Sequence, residues 1–224
     1  MNKKVIVISA HPDDETLGAG GTLLKHKAEG DEIFWIITTK MSQKVGFSLE
    51  RIASREKEIA EVASKLGIKK VYQLDYSTMT LSSSSLITMV PEIAKIFNEV
   101  KPEIIYSLNR SDAHSDHRIT FEAVMACTKS FRHPYIKKVL MYECISETEF
   151  APALPENCFI PNYFIDISEY FEGKLNVMQV YESEIDEHPA PRSFKNIEAL
   201  ATFRGAVAGV KYAEAFQLIK YIDK

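Results

Sequence analysis

The chain has 224 residues, of which 46% are hydrophobic, and this length suits one α/β domain with a sizeable core. Its 27 Lys and Arg against 31 Asp and Glu give a net charge of −4, which argues against a nucleic-acid or anionic-membrane surface. No run approaches 18 consecutive apolar residues, and the start MNKKVIVISAHPDDE becomes charged too soon for a signal peptide. The cysteines Cys127, Cys144 and Cys158 form no CxxC pair and suit a reducing compartment. We therefore expect a cytoplasmic protein without a transmembrane segment.

Apolar runs alternate with helical patterns along the chain, which predicts an α/β fold with a mostly parallel sheet. Strands are predicted near residues 4–9, 32–38, 70–74, 103–107, 138–142 and 161–167. Helices are predicted near 15–29, 49–66, 85–99, 117–131, 168–182 and 195–208, before a last extended segment. Two prolines between Cys144 and Pro161 predict a long loop that borders the ligand crevice.

The segment Ala10–Ala19, AHPDDETLGA, follows the apolar run at residues 5–8. A β-branched run of this kind indicates a strand buried on both faces, so the polar residues lie at the carboxyl end of a parallel strand. Open α/β sheets bind their ligands at that edge. The segment carries one imidazole and three carboxylates, at His11, Asp13, Asp14 and Glu15. Such crowded charges repel one another unless a cation or substrate compensates them, and a divalent metal is the simplest compensation.

A second polar segment, NRSDAHSDHR at residues 109–118, follows the apolar run at 104–108. It carries Asp112, His114, Asp116 and His117. Two strand ends of one sheet can face a common crevice, where His11, Asp14 and His117 would supply the two-histidine, one-carboxylate set of a catalytic zinc site. Helix capping is the alternative interpretation of the acids, since Asp13, Asp14, Asp112 or Asp116 could each begin a helix. Capping alone does not explain two His/Asp clusters that both follow strands.

The HPDDE block with its following GAGGT, and the HSDH block before Arg118, resemble the two signature motifs of the PIG-L or LmbE-like de-N-acetylases. These are zinc enzymes that remove the acetyl group from N-acetylglucosamine-type sugars. The helix around Arg55 and the ending from Arg204 to Phe216, RG…YAEAF, are also similar to the family. The resemblance implies a single-domain, Rossmann-like three-layer fold over residues 1–224. The family's Tyr-x-Ser-Gln stretch reads YESE at Tyr181–Glu184, so its substrate contacts are not carried over.

The resemblance also implies a role for each matching residue. The zinc ligands are His11, Asp14 and His117; the other catalytic residues are Asp13, His114, Asp116 and Arg55. In the implied reaction a zinc-bound water attacks the amide carbonyl, and Asp13 accepts the water's proton and later delivers it to the amine. A protonated His114, oriented by Asp116, stabilises the oxyanion. Arg55 lies near the carbonyl or the leaving sugar. One Zn²⁺ is expected per chain, although another divalent ion such as Fe²⁺ would suit the same ligands.

The implied partner is a small N-acetylated sugar or glycoconjugate; the sequence does not choose among such sugars, and a homo-oligomer is compatible with it. Two other functions remain open. The glycines Gly18, Gly20 and Gly21 could hold phosphate in a nucleotide-binding α/β protein, although GAGG is not GxGxxG and lies after the acids. A non-catalytic zinc-binding protein would need neither Asp13 nor His114. Arg55 could also be one charge on a solvated helix face.

Overall fold

The computed structural model describes residues 2–223, and at its centre lies a seven-stranded sheet with helices on both faces. The strands are β1 (Lys4–Ser9), β2 (Glu32–Lys40), β3 (Ile68–Ser77), β4 (Ile104–Ser107), β5 (Lys138–Tyr142), β6 (Tyr163–Asp166) and β7 (Ala213–Tyr221). The helices are α1 (Asp14–Glu29), α2 (Leu49–Leu66), α3 (Leu86–Val100), α4 (Ser115–Ala126), α5 (Phe171–Met178) and α6 (Phe194–Ala208). In the part of the chain so described, no helix combines the length and apolar character needed to cross a bilayer.

The strand order is β3-β2-β1-β4-β5-β7-β6, which confirms the predicted mostly parallel sheet. Strands β1 to β5 run parallel to one another, and β7 is antiparallel to both of its neighbours, β5 and β6. The chain runs outward from β1 to β3 and then returns to β4 on the other side of β1. This reversal makes β1 and β4 neighbours, with Val5 opposite Ile104. Their carboxyl ends therefore form the topological switch point at which open α/β sheets bind ligands.

Strand β1 is apolar throughout because both of its faces are covered. Val5 and Val7 pack in one core with residues of α1, α2, α5 and α6. Ile6 and Ile8 pack in the other core with residues of α3 and α4. All four side chains are fully buried. The two cores give the three layers that were expected from the alternating pattern and the family resemblance.

The glycine-rich segment lies inside α1 and packs against the sheet, as its small residues allow. A Cβ atom on Gly18 would collide with the Tyr142 ring of β5, and one on Gly21 would lie 2.8 Å from Cδ1 of Ile167. Both glycines are therefore required by close helix–sheet packing. A phosphate-binding turn needs its glycines before the first helical turn, so the nucleotide-binding interpretation is wrong.

Residues of the carboxy-terminal motif form hydrogen bonds that connect α1 to the rest of the fold. Glu214 of β7 accepts the backbone N–H groups of Gly21 and Thr22, at 2.9 and 2.7 Å, and the Lys174 ammonium at 2.7 Å. Arg204 forms a bidentate pair with Glu143, at 2.8 and 2.7 Å. The family-like ending of the chain thus supports the helix that follows the first polar segment.

Three predicted elements differ from the structure by three residues or more at one end. The predicted helices 117–131 and 168–182 are shorter, as α4 and α5, and the predicted strand 70–74 is longer, as β3. Helix α4 ends early because the Thr128 hydroxyl donates to the Met125 carbonyl, 3.0 Å away, which closes the last turn. Helix α5 begins late because Asp166 accepts the N–H of Ser168 at 2.9 Å, which holds the preceding residues in a turn.

Candidate active site

The two polar segments meet at the switch point between β1 and β4. Nε2 of His117 lies 3.3 Å from Oδ1 of Asp14 and 3.4 Å from Nδ1 of His11. Nδ1 of His11 is 3.9 Å from Oδ2 of Asp14. The structure therefore brings together the three residues expected to bind the metal, which we call the metal cluster (His11, Asp14 and His117).

The metal cluster fits a zinc-type ion. Two ligands at 2.0–2.1 Å from zinc, at tetrahedral angles, lie about 3.3 Å apart. The separations of 3.3 and 3.4 Å at Nε2 of His117 are close to this value, and the 3.9 Å between His11 and Asp14 is longer. Burial works against a charge on Asp14, but His117 and His11 together outweigh it and hold the pKa of that carboxyl well below its usual range. Burial likewise opposes a charge on His117, but Asp14 and Asp112 raise its pKa to about 10. A field that favours a proton at this nitrogen also favours a metal cation there.

Each side chain of the metal cluster makes a further hydrogen bond besides its contacts with the other two side chains. These bonds fix which ring nitrogen or carboxylate oxygen faces the other two side chains. Nδ1 of His117 lies 2.9 Å from Oδ2 of Asp112, and Nε2 of His11 lies 3.1 Å from Oδ2 of Asp116. Asp14 Oδ2 accepts the backbone N–H of His11 at 2.8 Å. Such outer partners orient metal-binding imidazoles and make them better ligands. Asp112, to which the sequence assigned only a capping alternative, is thus a positioning residue for His117.

Asp116 does not orient His114 as expected. Its Oδ2 atom lies 3.9 Å from Nδ1 of His114, beyond hydrogen-bond range, and it contacts His11 instead. The same carboxylate accepts the backbone N–H groups of Met79 and Leu81, at 2.7 and 3.0 Å. The loop after β3 supplies these donors, and they turn the side chain toward His11.

His114 is the residue that caps α4, so neither Asp112 nor Asp116 does. Its Nδ1 atom accepts the backbone N–H of Asp116 at 3.1 Å, which requires that this nitrogen carry no proton. Burial and the nearby His11 lower the pKa of His114 to about 4. The geometry thus favours a neutral ring with its proton on Nε2, in place of the imidazolium expected from the sequence.

Asp13 occupies the N-cap position of α1 but makes no side-chain capping bond. Its φ of 132° is one that L residues rarely adopt, a strain on the order of 1–3 kcal/mol that is typical of functional sites. The backbone N–H of Asp13 donates to Oε2 of Glu15 at 3.0 Å, and Tyr181 holds Glu15 in turn. Burial raises the pKa of Asp13 to about 7, although Arg192 opposes the rise. Within residues 2–223, Oδ1 of Asp13 has no hydrogen-bond partner.

Arg55 is buried at the site and does not lie on a solvated helix face. Its Nη1 donates to the Pro12 carbonyl at 2.6 Å, and its Nη2 donates to Glu184. The arginine thus supports the turn that carries His11 and Asp13. This position is the one expected for a site residue, although Nη1 and Nη2 already donate to protein acceptors.

Arg192 is a site residue that the sequence analysis missed. Its Nη1 donates to Oδ2 of Asp13 at 2.6 Å and to Oε2 of Glu184 at 3.3 Å, and its Nε donates to Ser146 at 2.7 Å. The local sequence PAPRSF carries no motif that marks this arginine. The one available signal was Glu184, the point at which YESE departs from the family's pattern.

A cavity of about 270 Å³ lies over these residues. Its lining includes four of the residues predicted for the site together with two residues that were not. They are His11, Asp13, Arg55 and His114, with Glu184 and Arg192. The site thus offers a residue cluster that could hold a metal and, beside it, a space for a small molecule.

The family model for PIG-L, GlcNAc-PI de-N-acetylase, matches residues 6–128, more than half of the chain. The chain belongs to the PIG-L family. The diacetylchitobiose deacetylase of Thermococcus kodakarensis is 28% identical, over 97% of this chain and 83% of that protein. The probable N-acetyl-α-D-glucosaminyl L-malate deacetylase 2 of Bacillus cereus is 26% identical, over 83% of this chain and 86% of that one.

The fold of this PIG-L chain is also found in a solved structure. N,N'-diacetylchitobiose deacetylase from Pyrococcus horikoshii, complexed with its inhibitor MPG, superposes with a TM-score of 0.77 at 25% identity. The match covers 97% of this chain and 84% of that one. These three relatives carry the name deacetylase, which is the enzyme class that the two signature motifs predicted.

Proposed function

We propose that this protein is a zinc-dependent hydrolase that removes the acetyl group from an N-acetylglucosamine-type sugar or glycoconjugate, acting in the cytoplasm. The observation that carries the proposal is the metal cluster beside a buried, strained Asp13 in one cavity. The names of the relatives support it, because they are deacetylases of diacetylchitobiose and of N-acetylglucosaminyl malate. A metal, a proton acceptor and a hydrogen-bond donor are together what amide hydrolysis requires.

His11, Asp14 and His117 would hold one zinc ion, or another divalent ion such as Fe²⁺. A bound ion of this kind supplies Lewis-acid chemistry, since it polarises a carbonyl and lowers the pKa of a water molecule. Asp116 and Asp112 keep the two imidazoles in the orientation that presents Nδ1 of His11 and Nε2 of His117. The protein's contribution to metal binding is thus a pre-oriented set of donors.

Asp13 is the proton acceptor in this proposal. Arg192 occupies Oδ2, while Oδ1 remains available to accept a proton from the attacking water. A carboxyl group whose pKa is about 7 can both take up that proton and return it to the departing amine near neutral pH. Arg192 and the N–H bond to Glu15 hold the group in place during both transfers.

His114 is the donor to the developing oxyanion. Because the backbone N–H of Asp116 occupies Nδ1, the proton of the neutral ring resides on Nε2. An N–H in this position needs no charge to stabilise an oxyanion, and a preorganised donor of this kind contributes on the order of 3 kcal/mol. Arg55 acts from the cavity wall by holding the Pro12 carbonyl and Glu184.

The test is amine release from a panel of N-acetylated sugars by protein loaded with one equivalent of zinc. We expect release that stops when the metal is chelated and returns when zinc is restored. The Asp13→Asn variant, loaded with zinc in the same way, is the control for amine released by the metal alone. A wild-type protein that binds zinc and releases no amine from any sugar would be the non-catalytic zinc-binding alternative.

A further inference from the structure

The cavity wall contains an arginine, Arg55, whose two terminal nitrogens both donate to protein acceptors. In ligand-binding sites a guanidinium group commonly binds the carboxylate or phosphate of the ligand. Here Nη1 of Arg55 donates to the Pro12 carbonyl, Nη2 donates to Glu184, and Nε lies 3.0 Å from Oε2 of Glu58. The side chain is 5% exposed. A ligand anion could bind Arg55 only by displacing a protein acceptor.

The second arginine of the wall, Arg192, donates to protein acceptors through Nη1 and Nε. Its Nη1 lies between Asp13 and Glu184, and its Nε donates to Ser146. Its Nη2 is 3.8 Å from Oε1 of Glu147. Three carboxylates, of Asp13, Glu184 and Glu147, therefore surround this guanidinium and compensate its charge.

Glu184 is the carboxylate that both arginines share. Its Oε1 pairs with Arg55 and with Arg51, 3.1 Å away, and its Oε2 pairs with Arg192. The amide at the corresponding position of the family's Tyr-x-Ser-Gln stretch carries no charge that could neutralise these cations. The remaining lysine of the lining, Lys40, pairs at 2.6 Å with Asp75, which is 87% exposed, so this pair is weak and easily solvated.

We infer that Glu184 makes the site selective for neutral N-acetylated sugars over sugars that carry an anionic group. An anion at the wall meets the charges of Glu184 and Glu147 and finds both guanidinium groups already paired with Glu184, which is the repulsive half of specificity. Sugar hydroxyls donate to such carboxylates in charge-assisted hydrogen bonds. The apolar lining residues Met41, Phe47 and Met79 suit the carbon face of a sugar. This inference rests on the proposed function and narrows its substrate.

The test compares N,N'-diacetylchitobiose, which is neutral, with N-acetyl-α-D-glucosaminyl L-malate, which is anionic. For the wild-type protein we expect a KM for the malate conjugate at least about tenfold higher, equivalent to ~1.4 kcal/mol. Glu184→Gln should free the arginines and narrow the ratio of the two KM values about tenfold. Glu182→Gln makes the same change of charge in the same turn but outside the cavity lining, and it should leave the ratio unchanged.

Calorimetry measures how tightly each sugar binds to the zinc-loaded protein. This measurement distinguishes a failure of the present inference from a failure of the proposed function. Absence of turnover on both sugars counts against the proposed function, whereas relative binding still reports selectivity. Equal or tighter binding of the malate conjugate by the wild type overturns the inference, whether or not the Glu184 variant folds. So does an unchanged KM ratio in a Glu184→Gln protein whose thermal unfolding matches that of the wild type.

Discussion

The metal cluster is held partly by short-range contacts, beside the His11–Asp116 bond across 105 residues, whereas the shared contacts of the cavity wall join distant segments. Asp14 bonds the backbone of His11 three residues away, and Asp112 bonds His117 five residues away. On the wall, Arg55 and Glu184 are separated by 129 residues, and Asp13 and Arg192 by 179. Short-range contacts reproduce the same geometry wherever the same short motif follows a strand. Long-range pairs depend on how separate segments pack, so the cavity wall is the part of the site that can vary while His11, Asp14 and His117 stay in place.

The two regions also differ in burial and therefore in the cost of change. Asp14 and His117 have fully buried side chains, whereas Arg192 and Glu184 are 21% and 24% exposed. Loss of one member of a buried charged pair leaves the other without compensation, while water can solvate a half-exposed partner. We therefore expect large effects at the metal cluster and graded effects on the wall.

The largest effect is expected from removal of a metal ligand. His117→Ala should lose most of the zinc and reduce amine release at least about a thousandfold, because the Lewis acid is lost. His11→Ala, at a more exposed ligand, should do the same with less disturbance of the fold. Metal analysis and activity are measured on the same samples, with the exposed His188→Ala as the control. Full zinc content in both ligand variants would contradict the metal cluster.

Asp13 lies where the metal cluster and the cavity wall meet. The Asp13→Asn variant should retain zinc while activity falls about 10²- to 10⁴-fold, because the amide cannot accept the water's proton. The amide keeps the size of the side chain and can still contact Arg192 through its oxygen. Zinc content is measured beside kcat to separate proton transfer from metal loss. Activity within a few-fold of wild type would reduce Asp13 to a structural residue of the turn.

His114→Ala should retain zinc and lower kcat by roughly a hundredfold, the effect of losing one oxyanion donor. Since the pKa of His114 is lowered to about 4, the ring is neutral throughout the range from pH 6 to pH 9. The loss should therefore be uniform across that range, which kcat measured against pH will show. An alkaline limb present in the wild type and absent from the variant would indicate the protonated histidine that the sequence suggested.

Asp116→Asn should weaken zinc binding about 10- to 100-fold, the usual effect of losing the outer partner of a metal-binding imidazole. Asp112→Asn tests the equivalent partner of His117 and should act in the same direction. Competition with a chelator of known affinity measures both. If only Asp112→Asn weakens binding while Asp116→Asn lowers kcat alone, then Asp116 acts on His114 after all.

The sequence was sufficient for the sheet and the metal cluster, because both follow from local pattern. An apolar run that ends in HPDDE places His11 and Asp14 at a strand end, and parallel pairing of β1 with β4 brings His117 beside them. Spacing along the chain does not specify side-chain rotamers. Asp116 stands two residues from His114 yet turns toward His11, because the backbone donors of Met79 and Leu81 lie on that side.

Arg192 shows a second limit of sequence reasoning, since its role depends on where a loop between two helices packs. Nothing within its own segment distinguishes it from a surface arginine. In the sequence, its partner Glu184 stands out only because it departs from a family pattern. The structure explains that residue, because three arginines surround its carboxylate. The contacts of the cavity wall therefore become known only from the structure, whereas the sequence was enough to predict that His11, Asp14 and His117 lie together.

The smallest expected effect, a shift of pH dependence, comes from Arg192→Gln. Burial raises the pKa of Asp13, and the Arg192 guanidinium opposes that rise by favouring the ionised carboxylate. Without the guanidinium the pKa of Asp13 rises further, so less of the carboxylate is ionised at a given pH below about 8. Activity requires the ionised form, and the acid limb of the kcat/KM profile should therefore move to higher pH. The loss should be largest near pH 6 and only a few-fold above pH 8.

Arg192→Lys retains the positive charge and should keep the acid limb near its wild-type position. Parallel profiles for the wild type and Arg192→Gln would show that Arg192 acts on the shape of the wall and not on the charge of Asp13.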